Sequence, residues 1–305
     1  MPRKTLGHVF ALFTILIWGA TFIASKMLLT EFTPFQIMLM RFIIAYVVLL
    51  IMNHKLHKII WKDEIMFCLL AIFGSTLYFI CENIALTYTL ASNVGIIIAL
   101  APILTALLAH FTTHDERLHK GIFLGFFVAF IGVVLVVFNG TVLLKLNPMG
   151  DILSLLAAVM WAVYSTLLKR CVHKYDGIYL TRRVVFYAIL TTLPLVIKEN
   201  KYFPLETLKE PKLFLSLMLL GILGSGICYV TWNYASKWLG IVVTNNYIYL
   251  NPFVTMVAAG VLLGEPITIM GLLGSALIIG GIIISDRIKS NKNIENKNYE
   301  IGKEL

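Results

Sequence analysis

The stretch from Asn251 to Ser285 reads NPFVTMVAAGVLLGEPITIMGLLGSALIIGGIIIS. It is an apolar run, a Gly-Glu-Pro break at Gly264–Pro266, and a second apolar run rich in glycine. Each run is long enough to cross a bilayer as a helix. The same layout begins at Ala101, as APILTALLAHFTTHDERLHKGIFLGFFVAFIGVVLVV. Pro102 falls on Pro252 at an offset of 150, while Glu116 falls on Glu265, Gly125 on Gly274 and Gly132 on Gly281 at 149. A long repeat built of membrane-length segments commits the chain to a duplicated set of spanning helices.

Composition agrees. Of 305 residues, 59% are hydrophobic and only 13% charged, against about half and a quarter in soluble domains. A mean hydropathy of +0.87 with recurrent apolar runs reads as a multi-span helical membrane protein. The net charge of +9 is not a nucleic-acid signature, because the basic residues sit between apolar runs and in the tail. Cys68, Cys81, Cys171 and Cys228 lie in or beside apolar runs without CxxC or zinc spacing, so neither a disulfide framework nor a metal site is indicated.

Ten spans are expected: Val9–Ser25, Pro34–Met52, Ile65–Asn83, Asn93–Phe111, Gly121–Phe138, Gly150–Leu168, Tyr179–Ile197, Lys212–Tyr234, Val243–Leu263 and Thr268–Ser285. The first is not a cleaved leader, since IWGATFIASK at Ile17–Lys26 recurs mid-chain as MWAVYSTLLK at Met160–Lys169, with Trp18 over Trp161. Pro34, Pro148 and Pro211 stand at helix starts, where a missing N–H costs nothing. Pro102 and Pro252 are expected inside spans 4 and 9, bending each and freeing a carbonyl.

With the N-terminus inside, sixteen Lys and Arg lie on the inner side and six on the outer, which places both termini in the cytoplasm. Five spans per copy is odd, so the two copies lie in opposite orientation as an inverted repeat. The expected organisation is an all-α integral membrane protein: residues 7–139 as the first repeat, 148–285 as the second, and a polar, disordered cytoplasmic tail at 286–305.

Polar groups at membrane depth are costly, about 2.5–3.5 kcal/mol for a charge at a helix centre, so the few present are candidates for function. Arg41 in span 2 reads either as an attractor of a carboxylate or as a structural partner for neighbouring carbonyls. Its counterpart in span 7 is Arg183 or, second, Arg182. Tyr78 and Glu82 share a face of span 3 at i, i+4, and Tyr229 and Asn233 are again four apart in span 8. Glu82 reads as a proton or cation site, or as a solvated helix end. Asn93, Asn245 and Tyr249 begin the proline-containing spans, as binding groups or as interhelical contacts. Trp18 and Trp161 either flank a cavity or simply pack. The proposed lining is therefore Trp18, Tyr78, Glu82, Asn93, Trp161, Tyr229, Asn233, Asn245 and Tyr249, with Arg41 as the further charged candidate. The pairs Gly121/Gly125 and Gly260/Gly264 read as close helix packing. His110, His114 and His119 around Asp115 and Glu116 read as a solvated turn, not a metal site.

Three stretches carry a family resemblance: LLGEPITIMGLLGSALIIGG at Leu262–Gly281, ALTYTLASNVGIIIALAP at Ala85–Pro102, and LMRFIIA at Leu39–Ala45. With the Pro-led run, Leu-Gly-Glu and Gly-spaced run, they resemble the paired EamA domains of the drug/metabolite transporter superfamily. The first copy departs, with THDERL where Leu-Gly-Glu is usual, so only Glu116 is retained there. The resemblance covers roughly Gly7 to Ser285. It implies a ten-helix bundle with a central substrate cavity, alternating access, and export of metabolites such as amino acids.

No Walker A pattern or phosphate-cradling loop is present, so the energy source expected is a gradient, with protons as the coupling ion and no cofactor. Small multidrug exporters use a carboxylate in their first helix; neither span 1 nor span 6 has one mid-span, which lowers a cation or drug exporter below a metabolite exporter. Nucleotide-sugar transport is a third reading. A membrane enzyme would need paired intramembrane acids or histidines, GxSxG or HExxH, and the sequence has none of these. A sensor is the remaining class. The partners expected are a small-molecule substrate and the lipid bilayer.

Overall fold

A computed structural model describes residues 2–54, 60–89, 91–112, 120–138, 147–263 and 269–284. The described residues are helical apart from short connections. The long helices are α1 (Arg3–Leu28), α2 (Pro34–Met52), α3 (Trp61–Tyr88), α6 (Lys120–Phe138), α7 (Pro148–Val172), α8 (Gly177–Glu199) and α9 (Pro211–Leu239). Between and after them lie α4 (Ala91–Ile98), α5 (Ala101–Thr112), α10 (Ile241–Asn246), α11 (Asn251–Leu263) and α12 (Ile269–Ile284). Six of these helices are long and apolar enough to cross a membrane: α1, α2, α3, α7, α8 and α9. Three shorter apolar stretches, in α5, α6 and α12, accompany them.

Local chemistry sets the helix starts. Thr33 caps α2 in a reciprocal box, its hydroxyl accepting from the Gln36 N–H and its own N–H donating to Gln36 Oε1 at 3.1 Å. Asp176 caps α8 through the N–H groups of Ile178 and Tyr179. Asn147 caps α7, with Pro148 at the first helical position. Gly240, at φ 89°, supplies the left-handed turn that stops α9. The two caps Thr33 and Asp176 are 143 residues apart, the same offset as Trp18 and Trp161.

Two features differ from the sequence reading. Pro102 and Pro252 do not kink continuous helices. Each is the second residue of a new helix, α5 or α11, where its missing N–H is harmless. The chain breaks just before them, at Ala99–Leu100 and in a 3-10 turn over Tyr247–Leu250. In addition, α3 and α9 each contain a π-helical segment, Ile72–Leu77 and Leu219–Ile227, which the sequence reading does not anticipate. Both segments hold a Gly-Ser pair, 74/75 and 224/225, at an offset of 150. Such widened turns disturb the regular hydrogen-bond ladder and cluster at functional sites.

Packing between the halves is reciprocal. Helix α1 lies along the second part of α9 and along α11; its counterpart α7 lies along the second part of α3 and along α5. The seam between α6 and α12 shows the same exchange at atomic scale. A Cβ on Gly132 would stand 2.5 Å from the Gly274 carbonyl oxygen, and one on Gly281 would stand 2.6 Å from that of Gly125. Gly132 and Gly281 must therefore lack a side chain for the two helices to approach this closely. Of the pairs expected from sequence, Gly264 lies outside the described residues. The outer surface is apolar, with Ile51, Phe127, Leu215 and Ile269 exposed, as lipid contact requires.

Candidate functional site

The interior holds a cavity of about 30 Å³, room for one or two waters. Six expected residues meet there: Trp18 from α1, Arg41 from α2, Tyr78 and Glu82 from α3, Trp161 from α7 and Tyr229 from α9. Thr21, Phe22, Phe79, Ile98, Ile248 and Asn251 complete it.

Arg41 is 2% exposed. Its Nε donates to Ser225 Oγ at 2.7 Å, and its guanidinium carbon lies 4.0 Å above the Phe79 ring. A hydrogen bond to a charged group contributes about 1.5–3 kcal/mol, which offsets part of the cost of burying the guanidinium. Glu82 is 5% exposed, so it is not a solvated helix end. Tyr78, one turn earlier on the same helix, and Arg41 border the cavity beside it. Among the described residues no direct ion pair joins Arg41 to Glu82. Two opposite charges thus border one small cavity without closing on each other.

Aromatic rings form the walls. The Trp18 ring stands edge-on to Trp161 at 5.2 Å, and Tyr78 lies 5.3 Å from Trp161. The polar ends of two rings are tied to the π segments. Trp18 Nε1 donates to the Gly224 carbonyl at 3.0 Å, and the Tyr229 hydroxyl donates to the Gly74 carbonyl at 2.8 Å. These two carbonyls are repeat mates, so both widened turns offer their irregular backbone to rings that line the cavity.

The halves differ in what stands against the two π-segment glycines. Thr21 and Tyr164 are repeat mates at offset 143. A Cβ on Gly224 would meet the Thr21 methyl at 3.1 Å, whereas one on Gly74 would overlap the Tyr164 ring at 2.2 Å. Tyr164 therefore fills, on one side, the space that Thr21 leaves open on the other.

Among the described side chains, three expected residues do not meet the cavity. Asn233 Nδ2 donates to Thr181 Oγ1 at 2.9 Å, joining α9 to α8. Asn245 is fully buried behind Trp161. Tyr249 packs towards Phe126 of α6. Asn93 falls on α4, and its side chain lies outside the described residues. The counterpart of Arg41 is not Arg183: counted from the caps Thr33 and Asp176, its place is taken by Val184. Arg183 instead pairs with Glu64, which also accepts from the Tyr187 hydroxyl at 2.9 Å. Arg182 donates to the Asn53 carbonyl. Among residues the sequence reading passed over, Asn251 had a signal, an amide directly before Pro252. Its Oδ1 is buried without a hydrogen-bond partner.

A larger depression of about 290 Å³ opens at one end of the bundle beside Asp63, Glu64, Lys174 and Asp176. Its charged side chains already have partners, Lys174 with Asp63 at 2.6 Å and Glu64 with Arg183 as ion pairs, and Asp176 as acceptor from the Tyr234 hydroxyl at 2.6 Å. It is the weaker candidate for transport chemistry. No group of three metal-ligating side chains occurs among the described residues, and the His114–His119 cluster lies outside them.

A helical bundle with an apolar exterior and a charged, aromatic-walled interior cavity defines a multi-pass membrane protein of transporter type. The chain belongs to the EamA-like transporter family, whose pattern matches residues 5–138 and 148–285. A transporter of Archaeoglobus fulgidus, named as uncharacterized, is 29% identical over 292 residues, covering 93% of this chain and 98% of its own. The uncharacterized transporter YyaM of Bacillus subtilis is 29% identical, with 92% of each chain covered. A protein of Streptantibioticus cattleyicolor, named "probable terminal-alkyne amino-acid exporter", is 27% identical, covering 90% of this chain and 91% of its own. A solved crystal structure shares the fold at a TM-score of 0.74 and 21% identity, covering 93% of this chain and 99% of that one.

Proposed function

We propose that this EamA-type transporter exports small zwitterionic metabolites, amino acids foremost, across the cell membrane by alternating access. The observation that carries the reading is the placement of Arg41 and Glu82 on one buried, aromatic-walled cavity without a mutual ion pair. A guanidinium suits a carboxylate, a carboxylate suits an ammonium, and the rings suit an apolar side chain. The name of the Streptantibioticus relative supports the same class. A purely cationic drug fits less well, because Arg41 would repel it.

A cavity of about 30 Å³ has no room for an amino acid, so loading requires helices to part. The reciprocal packing of the halves is what a two-fold axis in the membrane plane produces, and it supports ten spans in two inverted repeats. Glu82 is the proposed proton site, coupling export to a pH gradient. Both termini are proposed to face the cytoplasm, from the basic-residue bias.

Purified protein in proteoliposomes loaded with each of the twenty ¹⁴C-labelled protein amino acids, with and without a pH gradient, tests the reading. Gradient-stimulated efflux of at least one amino acid is the expected result. Efflux of none, alongside transport of a cationic dye, would replace it with the drug-exporter reading.

A further inference from the structure

Asn245 contributes nothing to the cavity surface, yet it holds one of the walls. The residue is fully buried at the end of α10. Its Nδ2 donates to the Ile241 carbonyl one turn back, at 2.9 Å. That bond fixes which way round the amide sits, because Nδ2 only donates and Oδ1 only accepts. Oδ1 is thereby presented to α7, where it accepts from Trp161 Nε1 at 2.9 Å and from Ser165 Oγ at 3.3 Å. Both ends of the Asn245 amide and the Trp161 indole N–H are thus engaged within the protein.

Trp161 is the ring that faces Tyr78 and Trp18 across the cavity. Its repeat mate Trp18 is anchored differently, by the main-chain carbonyl of Gly224. One indole is therefore held by backbone, and the other depends on a single amide side chain. That side chain stands just before the 3-10 turn Tyr247–Leu250, and Ile248 and Asn251 beyond it line the same cavity. A change in the course of the chain there would reach Trp161 through Asn245.

We propose that Asn245 is a positioning residue: it clamps the Trp161 indole as a fixed wall and so sets the width of the slot that receives the apolar part of a substrate. The transport consequence rests on the exporter reading above; the clamp itself does not. Without the acceptor, the indole N–H and the Ser165 hydroxyl lose their common partner in a site that water does not reach, and the ring is free to turn.

The full-length chain, labelled with ¹⁵N-indole tryptophan in lipid nanodiscs, gives one Nε1–H signal for each of its five tryptophans. Trp161→Phe identifies the relevant one. Asn245→Leu, similar in size but without an acceptor, is expected to shift that signal and speed its hydrogen exchange at least tenfold, leaving the signals of Trp61 and Trp238, which make no ring contact with Trp161, in place. Asn245→Asp, whose neutral acid form keeps an acceptor toward both donors and an O–H toward the Ile241 carbonyl, is expected to return it. In proteoliposomes carrying the ¹⁴C-amino-acid mixture, Asn245→Leu should raise KM at least fivefold with Vmax within twofold, and should add nothing to Trp161→Phe. An unmoved Trp161 signal, a common shift of all five signals, or additive effects of the two substitutions would overturn the proposal. Absence of efflux from wild type would overturn the exporter reading instead, with the indole signals still deciding the clamp.

Discussion

The Tyr229 hydroxyl donates to the Gly74 carbonyl at 2.8 Å, so a ring of the second half is pinned to the widened turn of the first. The Tyr164 ring, edge-on to that of Tyr229 at 6.2 Å, rests on the same glycine. Gly74→Ala is therefore expected to lose most folded protein, since its methyl would overlap the Tyr164 ring at 2.2 Å. Adding Tyr164→Thr copies the Gly224–Thr21 arrangement and should restore folding. Monodisperse yield in detergent and thermal unfolding check both. Tyr229→Phe should be mild by comparison, about 0.5–1.5 kcal/mol for one lost bond.

The charged pair should separate energy coupling from recognition. Glu82→Gln is expected to abolish gradient-driven efflux and leave substrate exchange largely intact, measured in the same proteoliposomes. Wild-type gradient dependence in that variant would remove Glu82 as the proton site. Arg41→Lys loses the fork that reaches both Ser225 and the cavity. It should raise KM for carboxylate-bearing substrates at least tenfold, about 1.4 kcal/mol, with little change for their amides.

At the end of the bundle, Asp176 gives an acid dependence of known sign. Burial opposes its charge, but the Tyr234 hydroxyl and the N–H groups of Tyr179, Ile178 and Gly177 prevail and hold its carboxyl below the usual range. A depressed folded value means stability that is fully present above the unfolded value of about 4 and lost as pH falls through the folded one. Wild type should thus lose thermal stability below about pH 4 more steeply than Asp176→Asn, which keeps a cap but has no charge to lose. Equal acid slopes would show that the carboxylate contributes nothing there.

Topology is open to direct labelling. With Cys68, Cys81, Cys171 and Cys228 replaced, a single Leu205→Cys should react with a membrane-impermeant maleimide in intact cells. Reaction only after lysis would place that loop inside and invert the assignment of both termini.

Much of this architecture could be read before any coordinates. Membrane-length runs, the Trp18/Trp161 pair and the Tyr78/Glu82 face needed only hydropathy and helical spacing. The π segments could not be read, because a Gly-Ser pair in an apolar run suits a regular helix equally well; the widening is set by what packs against it. Asn233 and Asn245 were read as lining because an amide at membrane depth needs a partner, and sequence does not say whether that partner is a substrate or another helix. Arg183 was matched to Arg41 by charge, whereas cap register, an indifferent measure of side-chain type, assigns Val184. The prolines were misplaced for a related reason: a proline between apolar residues marks a kink or a fresh start, and only the preceding backbone decides.

The glycine seam between α6 and α12 has a genetic consequence. Gly132 meets Gly274 while Gly281 meets Gly125, so each half brings the same two positions to the contact and receives the same two in return. The instructions for both surfaces are therefore written in either half of the gene. A coding sequence cut between codons 138 and 148 would yield two polypeptides that already carry matching faces, and co-expression should reassemble them. A single half, inserted in both directions, would meet its own copy along the same seam, which is how such a protein could exist before its gene was doubled.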